Sequence, residues 1–420
     1  MLVSDFRVVS SGSECELQAR VRSDASRRSF LVLYRFPRGF EGFVSAENGD
    51  PFIPALLLPA MKAHEPLEIT APVSPRLLRS VDAIQRIYRS WDPALSEVKI
   101  KAPVREKPLQ RVQERSRVGL FFSCGVDSYY SLLKNVQDHP ADEETITDLV
   151  VVHGFDITFG RRNTKLFPTL LANAEKAGRE FNKNVFPVAT NLKDYGDRFV
   201  GWRALYFGAF LASIGLALEN AFERIYIASA HSYTQIVERD RRGMIEGSHP
   251  DLDPLWSTER ESFIHDGCEA ARIDKIRFIS QFPIVLTTLR VCIIRSHGGG
   301  PYNCGSCHKC VRTMIALHTV GALQKCTTLP NSIDPKRLSS FWISDQNARS
   351  MLHDLVTSLG PSDTDLAIRS VLERSLSERS GMRRHFLSTM TYVLSVYAPS
   401  LLPAWNRALS AGTRRPLMNM

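Results

Sequence analysis

Residues 118–133, Val-Gly-Leu-Phe-Phe-Ser-Cys-Gly-Val-Asp-Ser-Tyr-Tyr-Ser-Leu-Leu, constrain this chain more than any other stretch. Residues 118–122 are a short apolar run of the kind that fills a central parallel strand. Tyr129, Tyr130, Leu132, Leu133 and Val136 then recur at helical spacing. The turn between them, Ser123-Cys124-Gly125-Val126-Asp127-Ser128, is built mostly of small residues. Its backbone can bend sharply, so that the unpaired N–H groups of the first helical turn face an anion with the helix dipole behind them. Ser123 and Ser128 add hydroxyl donors. Asp127 alone would repel phosphate, and its presence makes sense if it holds a magnesium ion, Mg2+, that the phosphates also bind. Cys124 reads either as a small residue that fits the turn or as a thiol that a helix N-terminus would ionise.

With 420 residues, 44% of them hydrophobic, the chain can bury a sizeable core and is expected to form two or three domains. No basic segment leads into an apolar run at the start, and the most apolar window, residues 205–218, is too short to cross a bilayer. A cytoplasmic location without membrane contact is therefore expected. The net charge of +9 favours anionic partners, which nucleotides satisfy as well as nucleic acid does. Basic residues are scattered and not interleaved with aromatics, so nucleic-acid binding is not expected.

Cys15, Leu17, Ala19 and Val21 alternate with polar residues, predicting a half-buried strand, followed by a turn at 24–26 and a second strand at 30–36. Ser74 and Pro75 open a helix whose apolar face carries Leu77, Val81, Ile84, Tyr88 and Trp91. Residues 1–101 read as an N-terminal α+β domain, and 102–117, charged and holding Pro103 and Pro108, as a linker. Beyond the phosphate loop, strands are predicted at 148–152, 185–188 and 224–227, with helices at 169–181 and 203–220. This alternation implies right-handed crossovers and a doubly wound parallel sheet of the α/β class. The second strand runs into His153-Gly154-Phe155-Asp156, where open α/β sheets gather ligands, although His153 also suits a plain turn. Residues 331–420 are helical by pattern.

Cys304, Cys307 and Cys310 are separated by two residues each, and Cys292 is separated from Cys304 by eleven, across Gly298-Gly299-Gly300. Four thiolates can close a tetrahedral shell around zinc, Zn2+, with an iron–sulfur cluster as the competing reading and His308 as a substitute ligand.

The loop resembles the Ser-Gly-Gly-x-Asp-Ser motif of the PP-loop ATP pyrophosphatases, with Cys124 at the usual second glycine. No Walker A sequence occurs. Together with the downstream cysteines, the pattern over residues 118–323 is similar to the 7-cyano-7-deazaguanine synthase family, as a divergent relative. That resemblance implies an adenine nucleotide α-hydrolase-like core over 118–330, with Ser123, Cys124, Gly125, Val126, Asp127, Ser128, His153, Gly154 and Ser229 at the nucleotide. Arg203 falls where the family has an Arg-Asn pair, but Ala204 replaces the Asn. Lys275 matches a family lysine, Arg312 lies near a family arginine, and Ser229-Ala230-His231-Ser232 matches a post-strand loop in position only. The deazapurine-recognising Asp-Tyr-Ser-Gly-Tyr-Pro-Asp segment is not recognisable, so the ATP chemistry carries over better than the substrate.

The expected activity is an ATP-dependent carbon–nitrogen ligase that adenylates a carboxylate, releases pyrophosphate and admits ammonia or an amine. Asp127, Ser128, Arg203 and Lys275 are the expected catalytic residues. A small-molecule or peptide carboxylate is the expected substrate, with a protein partner through residues 1–101 and a homodimer as further expectations. The alternatives are a tRNA sulfurtransferase-like enzyme and a non-catalytic nucleotide-binding module.

Overall fold

The computed structural model describes residues 1–25, 27–106, 117–155, 157, 166–196, 199–200, 205–292, 302–333 and 355–376. Three ten-residue antiparallel strands open the chain: β1 (Leu2–Ser11), β2 (Glu14–Ser23) and β3 (Arg28–Pro37). The period-two pattern on β2 buries Cys15, Leu17, Ala19 and Val21. Next come α1 (Phe52–Ala63), β4 (Leu67–Ile69), α2 (Pro75–Trp91) and β5 (Ile100–Lys101). Ser74 caps α2 by accepting the Leu77 N–H at 3.1 Å. Within the segment read as a linker, Val104 bridges to Val73 and Arg105 is buried against Asp50 and Glu219; 107–116 fall outside the described residues.

Strand and helix then alternate: β6 (Val118–Phe121), α3 (Val126–Asp138), β7 (Asp148–His153), α4 (Leu166–Glu180), β8 (Asn184–Thr190), α5 (Leu192–Gly196), α6 (Phe207–Ala217), β9 (Arg224–Ala228), α7 (Tyr233–Arg241) and β10 (Ser262–Asp266). The helix expected at 203–220 thus spans Phe207–Ala217, since Gly215 and Leu216 carbonyls close its last turn on Leu218. Among the described residues there follow α8 (Arg272–Ile279), α9 (Pro283–Thr288), α10 (His308–Thr319) and, after a helical stretch at 355–358, α11 (Asp363–Leu376). Ile368 and Leu372 of α11 are buried; the rest of the expected helical region, 334–354 and 377–420, lies outside the described residues.

Among the described residues, the ten strands form one mostly parallel sheet, in the order β10-β9-β6-β7-β8-β3-β2-β1-β4-β5. The five strands from β6 to β10 run parallel, and β3 joins their edge antiparallel through Tyr34–Thr190 and Arg35–Ala189. Alternate residues divide the interior into two cores. Leu120, Phe122, Leu149 and Val151 face the core that holds α3, α4, α9 and α10, whereas Phe121, Val150, Phe186 and Ile225 face α1 and α6. The second core welds the N-terminal strands to the parallel ones. Pro59 removes an N–H from α1 and leaves the Ala55 carbonyl without its helical donor, and the Tyr206 hydroxyl beside α6 donates to that carbonyl instead. Among the described residues, no helix is long and apolar enough to cross a membrane.

Candidate functional site

The turn from β6 into α3 is held by its own hydroxyls. Ser128 Oγ accepts the N–H groups of Gly125 (3.2 Å) and Ser123 (3.3 Å), and Ser123 Oγ also accepts from Gly125 at 3.3 Å. Gly125 is the N-cap; a Cβ there would meet Ser123 Oγ at 2.9 Å. Cys124 sits at φ +55°, the left-handed region that glycine enters without penalty, which explains why a glycine suits this position. Its side chain is fully buried beside Tyr129 and Tyr302, and burial pushes the thiol up to about 12. Of the two readings of Cys124, the packed, protonated thiol is the one the surroundings favour.

The N-terminus of α3 opens onto a cavity of about 340 Å³ at the carboxyl ends of the parallel strands. Ser123, Gly125, Val126, Asp127 and Ser128 form one side of it, and Arg272, Arg290, Lys309 and Arg312 line it as well. Phe155, Phe207, Leu211, Ile227 and Met244 make an apolar flank, and Ser229, His231, Arg239 and Glu246 a polar one. On that polar flank Glu246 pairs with His231 and lies 3.6 Å from Arg239.

Asp127 is 3.2 Å from Arg272 and 3.8 Å from Lys275. Burial works against its charge, yet Arg272, Lys275, Arg312 and Lys309 outweigh burial and hold the carboxyl below its usual range. Lys275, with 1% of its side chain exposed, donates to the Ser229 carbonyl at 2.7 Å, and burial lowers its pKa. It therefore braces Asp127 and the post-β9 loop from behind the cavity wall. Ser229 Oγ turns inward to the His231 carbonyl at 2.8 Å.

Other expected residues stand apart. His153 stacks on Phe167, with ring centroids 4.2 Å apart. Gly154, at φ +113°, brings the end of β7 so close to β8 that a Cβ would lie 2.0 Å from the Thr190 carbonyl oxygen. Its requirement for glycine is thus steric, and Phe155, the next residue, is the one that reaches the cavity. Arg203, with Ala204 and Asp156, lies outside the described residues. Sequence reasoning missed Arg272, Arg290, Lys309, Arg239 and Glu246. The one available signal was the i,i+3 spacing of Arg272 and Lys275, which puts both on one face of α8.

The sulfurs of Cys292, Cys304, Cys307 and Cys310 all lie within 4.8 Å of one another. Cys304–Cys310 and Cys307–Cys292 are separated by 3.8 and 4.0 Å. Zn–S bonds of about 2.3 Å in a tetrahedron place sulfurs about 3.8 Å apart, so the four thiols fit a metal ion such as zinc. Cys304 Sγ accepts the N–H groups of Ser306 (3.4 Å) and Cys307 (3.2 Å), hydrogen bonds that favour a thiolate. His308 lines the cavity and is not one of the four clustered ligands.

The cluster and the loop are joined. Arg290 donates its backbone N–H to the Cys124 carbonyl at 2.8 Å, and its guanidinium donates to the Cys292 carbonyl at 3.0 Å. Asn303 accepts from Val291 (2.9 Å) and Cys292 (3.1 Å) and donates to Leu289 (2.8 Å) and Thr328 (3.0 Å). A scan against protein-family models, a search of curated proteins and a search of solved structures each return no match.

Proposed function

We propose that this chain is an ATP-dependent ligase of the PP-loop kind, built on an adenine nucleotide α-hydrolase-like core. The observation that carries the reading is the hydroxyl-lined, glycine-capped N-terminus of α3, which opens onto a cavity also lined by Arg272, Arg290, Lys309 and Arg312. Backbone N–H groups with four cations suit a polyphosphate, and the lack of a Walker lysine turns the chemistry from the γ-phosphoryl toward the α–β bond. In this reading a carboxylate oxygen attacks the α-phosphorus and pyrophosphate leaves into the loop. Ammonia or an amine then displaces AMP from the acyl carbon, forming a C–N bond and giving up a proton. Ser123, Gly125 and Ser128 hold the leaving group, Arg272 and Arg312 neutralise it, and Lys275 keeps Asp127 ionised. Magnesium would be held by Asp127, in exchange for Arg272, and would supply charge neutralisation on the phosphates.

The acceptor is a small-molecule or peptide carboxylate, and the zinc-type centre serves the fold around the site rather than the reaction. The buried, protonated Cys124 weighs against the sulfur-transfer alternative, which needs an accessible carrier thiol. The test is product analysis with ATP, magnesium and a metabolite extract as the source of acceptor. AMP and pyrophosphate are expected, with the rate falling by orders of magnitude in Asp127→Asn. ADP as the sole product, or an unchanged rate in the variant, would overturn the assignment in favour of the nucleotide-binding module.

A further inference from the structure

We propose that the four-thiol centre is a clamp on the anion-binding cavity, so that affinity for a polyphosphate depends on the metal. This rests on the reading of the loop as a phosphate site and adds a control to it.

Two segments leave the cluster and both enter the cavity wall. The first is 289–292. Cys292 ends it, Arg290 lines the cavity, and the Arg290 N–H holds the Cys124 carbonyl inside the phosphate loop. The second is α10. Cys307 is its N-cap, its side chain accepting the Cys310 N–H at 3.5 Å, and His308, Lys309 and Arg312 on its first two turns line the same cavity. Asn303, just ahead of Cys304 on the chain that leads into α10, grips the first segment through three backbone hydrogen bonds, to Leu289, Val291 and Cys292, and makes a fourth to Thr328 beyond α10. Of the five cavity cations Arg239, Arg272, Arg290, Lys309 and Arg312, three are therefore placed by chain that the cluster gathers; Arg272 comes from α8, and Arg239, on α7, lies beside Glu246.

The clustered sulfurs need a cation. Four thiol groups within 4.8 Å can be thiolates together only around a metal; without one they repel or must take up protons. Losing the metal frees Cys292 from Cys307, and with it the relation between Arg290 and α10. The parallel sheet does not draw on these contacts, and the β6–α3 turn draws on them only at the Cys124 carbonyl, its closure otherwise coming from Ser123 and Ser128. The geometry thus separates a loop closed mainly by its own serines from a cationic wall that a metal holds in place.

The experiment measures binding of magnesium pyrophosphate by calorimetry to zinc-loaded protein, to chelator-stripped protein, and to Asn303→Ala, which keeps all four thiols. Zinc content, circular dichroism and thermal melting are recorded alongside. Stripped protein is expected to keep its strand and helix signal and to bind pyrophosphate at least tenfold more weakly, with zinc restoring the affinity. Asn303→Ala is expected to retain one zinc per chain and still bind several-fold more weakly. Parent-like affinity in the folded, stripped protein overturns the proposal, as does parent-like affinity in Asn303→Ala. Collapse of the whole sheet on stripping also overturns it, since the metal would then hold the fold and not the wall. If the zinc-loaded parent binds neither pyrophosphate nor ATP, the phosphate-loop reading falls, and the clamp with it.

Discussion

Two helices, α3 and α10, present their N-termini to one cavity and are built in opposite ways. The end of α3 is settled largely within six residues: Ser123, Gly125 and Ser128 satisfy one another and the backbone around them, and the Cys124 carbonyl reaches outside, to the Arg290 N–H. The end of α10 is capped by a thiol that also belongs to a cluster, and one member of that cluster, Cys292, lies fifteen residues before the cap. Hydroxyl caps cost the protein little and need no partner, whereas a four-sulfur cap gains its strength from a cation the chain does not supply. One anion-binding end is intrinsic to the sequence and the other is conditional.

The sharpest break of this comparison is Cys310→Ser. Structural zinc sites carry on the order of 10 kcal/mol of binding free energy in small peptides, so loss of one ligand should lower the opening free energy of α10 by several kcal/mol. Hydrogen exchange followed by mass spectrometry is expected to show lost protection over His308–Thr319, with Val126–Asp138 unchanged. Equal loss in both helices would mean that they form one cooperative unit and that the distinction between them is empty.

The same contrast governs what could be read from the chain. The β6–α3 turn and the four cysteines are local patterns, and periodicity alone found α2, α3, α4 and β6 to β9. What escaped depends on partners distant in sequence. Strand β1 was missed, its ladder interrupted between Ser4 and Arg7 where Asp5 turns to φ +58°. Helix α1 is buried from Phe52 to Met61 and carries Pro54 and Pro59, so it has neither an amphipathic stripe nor an uninterrupted helical look. The ladder that joins the N-terminal strands to the parallel sheet has two residue pairs, Tyr34–Thr190 and Arg35–Ala189, for which no sequence pattern exists. At the site, Arg272, Arg290 and Lys309 look like any scattered basic residues until three separate segments bring them to Asp127 and the loop.

Asp127 is where the intrinsic and conditional ends meet, since Arg312 and Lys309 of α10 help to hold its charge. Its exposure is 25%, against 11% for Arg272 and 1% for Lys275. Removing the carboxylate leaves Arg272 and Lys275 without their counter-charge, and Asp127→Asn is expected to cost about 3 kcal/mol near neutral pH. The folded pKa is depressed, so this stability is present above the unfolded value of 3.8 and is lost as the pH falls through the folded value. Urea titrations of parent and variant should therefore differ most near pH 7 and converge in acid below pH 3.8. A difference of the same size at both ends of that range would show that the loss is one of packing and not of charge.

The smallest effect tests whether the intrinsic end is as self-contained as its hydrogen bonds imply. Cys124→Gly relieves a left-handed residue, which should gain about 1 kcal/mol, and removes a buried thiol packed beside Tyr129 and Tyr302, which should cost about the same. The two terms oppose, so urea denaturation is expected to move by less than about 1 kcal/mol, and pyrophosphate affinity to stay within twofold of the parent. Protonation of the thiol gives an independent reading: Cys124 should resist iodoacetamide at pH 8 in the folded protein, because burial holds it near 12. A Cys124 that alkylates readily, or a glycine variant that loses pyrophosphate binding, would make the side chain a working part of the site, and the α3 end would then depend on more than its backbone and two serines.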